Sequence, residues 1–396
     1  MNSSVLHKDD VVAVVLAGGE SRRMGREKAF ESIPGGGISY AGQRLIDVVI
    51  QRIRLQCSQV IIIANGDPSR FGSLQDIIRS DVITGGHGPL AGVHSGLVWS
   101  KKLYPDSKAI LTIPIDTPFF PDDLLDRLLI ASRGGNHISY ATNFYQNKLQ
   151  EHPVCALWPM DITDDLSHFM HSSINKKMLT FMSSQGCTRA MFPAALRVTE
   201  NPFFNLNTQD DLLISGLWSG GSNHCGCKKI FGITGWKNSG KTRVMRGVIS
   251  TLGNMGLRIA AMKRASDAFE CDIEGTDSWH FRQAGASEVL VTSSVRWAII
   301  REKEMASQET VHQATERLGK DHDMILVEGW KMSSISKIEV FRKENGGKLM
   351  MERVPGIVAI ATDCDSSFEE YGYNRRFDID DYLGISRILL QLACES

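Results

Sequence analysis

The sequence predicts an α/β protein of two domains, each a mostly parallel sheet with helices on both faces. Three observations carry that expectation. Short apolar runs alternate with stretches of helical period along the chain, and this alternation places helices against a parallel sheet. One local order (an apolar run, a glycine-rich loop, a helical stretch) occurs twice, starting at residues 11 and 229. Between the two, residues 219–227 (SGGSNHCGC) are small, polar and unpatterned, which is linker composition. The expected domains are 1–218 and 228–396, joined by 219–227.

In the first part, residues 11–17 (VVAVVLA) form the opening strand and end in Gly18 and Gly19. Residues 43–55 carry Leu45, Val48, Val49 and Ile53 near a 3.6-residue period, which predicts a helix. The runs 60–64 (VIIIA), 109–113 (AILTI) and 153–157 (PVCAL) read as buried strands. Pro121 followed by acids opens a helix. Another begins at 207–213, with Asn207 or Thr208 as its cap. In the second part, strands are expected at 229–234, 257–262, 286–292, 296–300, 323–327, 337–341 and 357–361. Helices are expected at 241–254, 277–284, 306–319 and 378–394.

Composition narrows the function classes. At about 150 residues per domain, 396 residues allow two to three domains. With 42% hydrophobic and 22% charged residues the chain is globular, not disordered or fibrous. Its 44 basic and 45 acidic residues leave no basic excess for coating nucleic acid. Eight cysteines are too sparse for a disulfide scaffold. Cys225 and Cys227 lack the usual zinc spacing and read as linker thiols. No apolar stretch approaches the roughly 20 residues of a membrane helix, and the N-terminus does not read as a signal peptide. A soluble cytoplasmic protein is expected, with no membrane or nucleic-acid partner.

The second part contains Gly235-Trp-Lys-Asn238-Ser239-Gly240-Lys241-Thr242, a G-x-x-x-x-G-K-[ST] loop between a strand and a helix. Glycines let backbone N–H groups cradle phosphates at the helix start. Lys241 is placed to reach the β- and γ-phosphates, and the Thr242 hydroxyl to ligate Mg²⁺. Glu328, ending the apolar run 323–327, is the candidate Walker-B-like acid, with a surface or helix-starting acid as the alternative. Asp272 and Asp277 either approach the phosphates or sit in a solvated loop.

The first part's loop is different: Leu16-Ala17-Gly18-Gly19 is followed by Arg22, Arg23, Arg26 and Lys28. Four cations within seven residues can neutralise a triphosphate and a departing pyrophosphate. Asp116, between Pro114 and Pro118 beyond a strand end, is a candidate Mg²⁺ ligand or else a helix cap. Residues 85–92 read as a flexible substrate loop. His152 reads as a general base or, with more weight, as a hydrogen-bonded structural histidine. No paired ligand spacing suggests zinc or iron.

These residues carry a resemblance. L-A-G-G-x-S-x-R-M-G-x-x-K (16–28), I-A-N (63–65), G-P-L-A-G (88–92), P-x-D-T-P (114–118), H-P-V-x-A-L (152–157) and N-x-N-T-x-x-D-L (205–212) occur in the order found in the MobA family, the molybdenum cofactor guanylyltransferases. The second part resembles the MobB family of GTP-binding proteins through its P-loop, D-S-x-x-x-R-Q-A-G-A (277–286), V-E-G-W-K (327–331) and K-I-E-V-x-R (337–342). The chain looks like a MobA–MobB fusion.

The resemblance implies a Rossmann-like nucleotidyltransferase followed by a P-loop NTPase-like domain, each of three layers. The first would join GMP from GTP to molybdopterin, with Mg²⁺, and release pyrophosphate. Leu16, Ala17, Gly18 and Gly19 would line the nucleotide cleft, Asn65 would contact nucleotide, and Asp81 fits the family's nucleotide-contacting acid only with a shift. Lys28, Asp116 and Arg22 would carry catalysis, with Asp116 on Mg²⁺. Gly88, Pro89, Leu90, Asn205 and Asn207 are candidates for the pterin pocket. Gly235, Asn238, Ser239, Gly240, Lys241 and Thr242 would hold GTP in the second domain, with Thr242 and Glu328 on Mg²⁺. Other molybdenum cofactor biosynthesis proteins and molybdoenzyme apoproteins are the implied partners. Two alternatives stand beside this: a cytidylyl or sugar-phosphate transferase, and an adaptor that delivers cofactor.

Overall fold

The computed structural model describes residues 6–18, 27–35, 39–83, 88–135, 137–172, 177–218, 229–265, 269–301, 309–345, 348–351, 353–364 and 375–395. The chain divides into two compact units, residues 1–227 with 387–396, and residues 228–386. The expected linker, 219–227, lies outside the described residues.

The first unit runs β1 (Val11–Leu16), α1 (Leu45–Ile53), β2 (Gln59–Ile63), β3 (Ile78–Arg79), α2 (Pro89–Leu103), β4 (Ala109–Pro114), α3 (Leu124–Ala131), β5 (Ile138–Tyr145), β6 (Lys148–Pro159), α4 (Thr163–Ser172), α5 (Met178–Ser184), β7 (Cys187–Met191) and α6 (Gln209–Ser215). Its seven strands lie in the order β3-β2-β1-β4-β6-β5-β7. The first four are parallel, β6 is antiparallel to β4 and β5, and β7 is parallel to β5. β1 is buried along its whole length, and its side chains alternate between layers. Val11, Ala13 and Val15 pack with Ile46, Val49 and Ile53 of α1 and Leu125 and Leu128 of α3. Val12, Val14 and Leu16 pack with Leu90, Val93 and Leu97 of α2 and Leu166 and Met170 of α4. A strand covered on both faces needs a continuous apolar run, which is how residues 11–17 read.

Two departures from the sequence reading bear on the site. Residues 89–92 are not loop: Pro89 opens α2, and Leu90 is fully buried. Proline at the first helical position fits the helix without sacrificing a backbone bond. Gly92 and Gly96 then let α2 sit against β1. A Cβ at Gly92 would lie 3.0 Å from Leu16 Cδ2, and one at Gly96 2.7 Å from Val14 Cγ1. The β5–β6 hairpin was not anticipated as a pair. Its two turn residues, Gln146 and Asn147, both have positive φ (50° and 62°), as a tight hairpin turn demands, without the Asn-Gly that usually signals it.

The second unit contains β8 (Ile230–Thr234), α7 (Lys241–Asn254), β9 (Ile259–Lys263), α8 (Asp277–Gln283), β10 (Glu288–Thr292), β11 (Trp297–Arg301), α9 (Val311–Thr315), β12 (Met324–Glu328), β13 (Lys337–Phe341), β14 (Ile357–Thr362), β15 (Arg376–Asp378) and the start of α10 (Tyr382–Glu395). Six strands form a sheet in the order β15-β14-β13-β8-β12-β9, parallel throughout. β10 and β11 form a separate antiparallel ribbon. The last ten residues, expected in the second domain, group with the first unit. There the Arg387 guanidinium donates to both carboxylate oxygens of Asp210, at 2.7 and 2.9 Å.

The close α2–β1 approach gives a test of sign. Gly96→Ala gains helix propensity of about 1 kcal/mol. The new methyl meets a stiff, buried valine, and overpacking of this kind costs about 1–3 kcal/mol. Net destabilisation of the first unit is expected. Gly253→Ala in α7, where no atom lies within 4 Å of the added Cβ, serves as the control and should be neutral or stabilising. Denaturant midpoints of the two variants check the opposite signs.

Candidate functional site

Parallel register brings the first unit's candidate residues to one edge. Leu16 pairs with Ile63 of β2 and with Pro114 of β4. The chain therefore leaves three adjacent strands together, at Ala17–Gly18, Ala64–Asn65 and Ile115–Asp116. Ligands bind at this edge of parallel sheets. Backbone bonds continue past the strands: Ala17 N–H donates to the Ile63 carbonyl at 3.0 Å, and Ile115 N–H to the Leu16 carbonyl at 3.1 Å.

Two polar groupings form there. In one, the Asn65 amide donates to Asp81 Oδ2 at 2.8 Å, and Asp81 N–H returns a bond to Asn65 Oδ1 at 3.0 Å. Gly18 faces this pair; a Cβ there would stand 3.9 Å from Asp81 Oδ2. Asp81 therefore lies beside Gly18 and Asn65 at the strand edge. In the other, Lys28 Nζ donates to Asp116 Oδ2 at 3.1 Å and to Asn207 Oδ1 at 2.6 Å. Both members of the Lys28–Asp116 pair are mostly buried, at 16% and 24% side-chain exposure. Segment 205–207 is anchored on the same strand end: Leu206 N–H donates to the Asp116 carbonyl at 2.8 Å. The Thr117 hydroxyl donates to Asn205 Oδ1 at 2.6 Å. Asn207 is held from behind, because its N–H and that of Thr208 both donate to Asp211 Oδ2, at 2.9 and 2.8 Å. Thr208, one of the two expected caps, closes a capping box with Asp211.

Of the remaining candidates, Gly88 takes φ +60° as the cap of α2 and Pro89 follows it. Leu90 packs in the core, so its side chain is removed from the pocket lining. Gly19 and Arg22 lie outside the described residues. Sequence reading missed Thr117 and Arg70. Arg70 donates to the Asn65 carbonyl and pairs with Glu27 at 3.1 Å. Its position in a short 3-10 helix, Pro68–Ile77, away from any cluster of like residues, offered no signal.

In the second unit β8 runs between β13 and β12 and delivers the P-loop to the start of α7. Gly235 has φ +150°, and a Cβ there would meet the Val340 carbonyl at 2.4 Å. Asn238 and Gly240 also have positive φ, 64° and 96°. Ser239 is buried, and Thr242 lies at the exposed first turn of α7. Lys241 Nζ donates to the Trp236 carbonyl at 2.7 Å. Burial pushes the Lys241 ammonium below its ordinary range, Glu328 opposes that, and Lys331 and Lys263 add to it. Glu328 ends β12 in register with Ile233 of β8 and Lys263 of β9. The Asp272 carboxylate is 7% exposed. It accepts from Ser278 Oγ at 2.8 Å and pairs with Arg282 at 3.4 Å, at the start of α8. In the K-I-E-V block, Lys337 is fully buried and donates to the carbonyls of Ser333, Ile335 and Pro355. Its ammonium ties three main-chain carbonyls together.

His152 is held by a hydrogen bond and a ring stack, as the structural reading expects. Its Nε2 bonds Asn143 Oδ1 at 2.9 Å, and its ring stacks on Phe203 at 4.3 Å. Burial depresses its pKa from 6.5 to about 4. Between these values the unfolded histidine holds a proton that the folded one does not. Stability of the first unit should therefore fall as pH drops from 6.5 to 4, by on the order of 2 kcal/mol. His152→Gln, which retains an N–H donor, should flatten that slope in denaturant titrations.

Comparisons with known proteins follow the same division. The MobA-like NTP transferase domain family matches residues 13–186, and the molybdopterin guanine dinucleotide synthesis protein B (MobB) family matches residues 230–363. A molybdenum cofactor guanylyltransferase of Mesorhizobium japonicum is 36% identical over 205 residues, 51% of this chain and 93% of that protein. One from Rhizobium meliloti is 33% identical over 220 residues, 55% of this chain and 96% of that protein. A crystal structure of molybdopterin-guanine biosynthesis protein B is 27% identical, with 41% of this chain and 99% of that one covered and a TM-score of 0.34. The chain belongs to the molybdenum cofactor guanylyltransferase family and joins to it, in one polypeptide, a domain of the MobB family.

Proposed function

We propose that the first unit transfers GMP from GTP to the terminal phosphate of molybdopterin, releasing pyrophosphate, and that the second unit is a GTP-binding accessory domain. The observation that carries the first part is Lys28 held between Asp116 and Asn207 at the edge where β1, β2 and β4 end. A phosphate oxygen of molybdopterin forms a bond to the α-phosphorus of GTP, and the bond from that phosphorus to the pyrophosphate oxygen breaks. The nucleophile belongs to the substrate, so the protein's task is positioning and charge neutralisation. Lys28 balances charge that builds on the phosphates. The backbone of 16–18 admits the nucleotide closely at Gly18. Asp81, an acceptor-only carboxylate fixed by Asn65, takes N–H or O–H donors of the nucleoside. Gly88 and Pro89 at the start of α2, with Asn205 and Asn207, line the side from which the pterin phosphate enters. The names of the similar proteins support guanylyl transfer over a cytidylyl or sugar-phosphate alternative.

Magnesium fits the first site. Among the described residues no group of three or more His, Cys, Asp or Glu converges, but Mg²⁺ characteristically binds through one or two carboxylates together with substrate phosphates. Asp116 supplies a partly exposed carboxylate at the strand end. The ion would shield phosphate charge when bound there. In the second unit Thr242 and Glu328 are the corresponding oxygen donors, and the P-loop residues Gly235, Asn238, Ser239, Gly240 and Lys241 would receive GTP phosphates. No helix among the described residues is long and apolar enough to cross a membrane. The reading places the chain in the cytoplasm, where it would meet other molybdenum cofactor biosynthesis proteins and molybdoenzyme apoproteins.

Pyrophosphate release from purified protein with molybdopterin, Mg²⁺ and each nucleoside triphosphate tests the reading. GTP should be preferred over CTP. Lys28→Ala and Asp116→Ala should each lower the rate by about 100-fold or more with circular dichroism unchanged. Retained activity in both would overturn the site. Lys241→Ala should leave transfer within about twofold, because its charge acts in the second site.

A further inference from the structure

Three features of the second unit are left unexplained by a bare phosphate loop. The first is an exposed tryptophan inside it. Trp236 is 41% exposed, and contacts at its polar end and face hold it: its indole N–H donates to the Lys348 carbonyl at 2.5 Å. The second is a lysine on its ring, with Lys331 Nζ 5.4 Å from the centroid. The Trp236 carbonyl meanwhile accepts from Lys241 at 2.7 Å. Two cations from separate elements therefore rest on one residue of the phosphate loop.

The third feature is the turn that delivers Lys331. After Glu328, Gly329 and Trp330 both have positive φ, 109° and 44°. A Cβ at Gly329 would lie 2.7 Å from Arg264 Cβ, so glycine is required there. A bulky side chain in the left-handed region is an outlier that persists only where its surroundings over-determine it. They do: Trp330 Nε1–H donates to the Glu309 carbonyl at 2.8 Å. The Trp330 carbonyl accepts from Ser333 N–H at 2.9 Å and from its hydroxyl at 2.8 Å. The strained turn places Lys331 over the phosphate loop, three residues beyond the acid expected at the metal. Among the described residues Lys331 pairs with no carboxylate. Glu328, Lys263 and Lys331 all act on the Lys241 ammonium, one negative charge against two further positive ones, a local balance suited to a highly charged anion.

We propose that turn 329–331 is a terminal-phosphate switch, in which Lys331 exchanges the Trp236 ring for the γ-phosphate when a nucleoside triphosphate binds. This rests on the P-loop reading of the second unit and adds discrimination of triphosphate from diphosphate. A cation over an exposed ring is held weakly, whereas an ammonium–phosphate hydrogen bond is among the strong ones, so the exchange is downhill. A diphosphate lacks the group that would draw Lys331 away.

The test uses the full chain carrying Lys28→Ala, and the nucleotide binding that remains when Lys241→Ala is added is subtracted as that of the first unit. Mg·GTP and Mg·GDP are titrated by calorimetry, and the emission due to Trp236 is isolated by subtracting that of a Trp236→Phe partner. Lys331→Met should weaken GTP about tenfold and GDP by less than about twofold, and Lys331→Arg should restore most of the difference. Trp236 emission should change with GTP but not with GDP, and should stop responding in Lys331→Met. Equal effects of Lys331→Met on both nucleotides, or equal emission changes with both, would overturn the switch while leaving the P-loop reading standing. If Lys241→Ala alters binding of neither nucleotide, the P-loop reading fails and the switch with it.

Discussion

In each unit the strand that feeds the candidate site runs inside the sheet, flanked on both edges, and its chain has to leave at one end without abandoning its backbone partners. β1 lies between β2 and β4, and β8 between β13 and β12. Everything polar in both sites is a consequence of where those strands stop. β1 leaves gradually: Ala17 still donates to β2, and β4 still donates back to Leu16. The residues that follow on all three strands are therefore carried out together. β8 leaves abruptly, at Gly235, where the Val340 carbonyl excludes any side chain. The first exit builds a cleft shared by several segments. The second turns a single short loop back over the strand end, from Gly235 to the start of α7.

That difference decides how much of each site was legible. The P-loop is local. Its glycines, Lys241 and Thr242 lie within eight residues, and the strand before and helix after it follow from periodicity alone. The first site is assembled over long separations. Lys28 meets Asp116 and Asn207 across 88 and 179 residues, and Asp81 meets Asn65 by a side-chain bond that no spacing rule announces. The individual residues stood out by type and by position at strand ends, but their pairing is a product of register. The expected loop 85–92, of which 88–92 lie among the described residues, shows the same limit. Its glycines suggested mobility, yet Gly88 and Gly92 serve helix α2, one by capping it and the other by admitting Leu16. The β5–β6 hairpin escaped because its turn uses Gln146 and Asn147 in a conformation that glycine more often signals. Thr117 stood in the P-x-D-T-P block without a role, and Arg70 in none, since each acquires its role from a backbone or side chain that is its neighbour only in space.

The same contrast bears on how each site handles charge. A near-neutral chain meets a triphosphate only by local placement of cations, and the two units place them by different physics. Lys241 is held by its own loop, against the Trp236 carbonyl, so removing it still leaves that carbonyl the Ser239 N–H, at 3.2 Å. Lys28 holds together an acid and an amide from two other segments. Its loss would leave Asp116 three-quarters buried beside an unpaired Asn207, with desolvation no longer offset. An ammonium that already satisfies a carboxylate and an amide is also a moderated cation. It can tighten on phosphate as charge builds there, without first being stripped from bulk water, which is the preorganisation that makes such groups effective in transfer chemistry. In the second unit the Lys241 ammonium is instead opposed by Glu328 and joined by the charges of Lys331 and Lys263, so its positive charge is not spent on a single carboxylate.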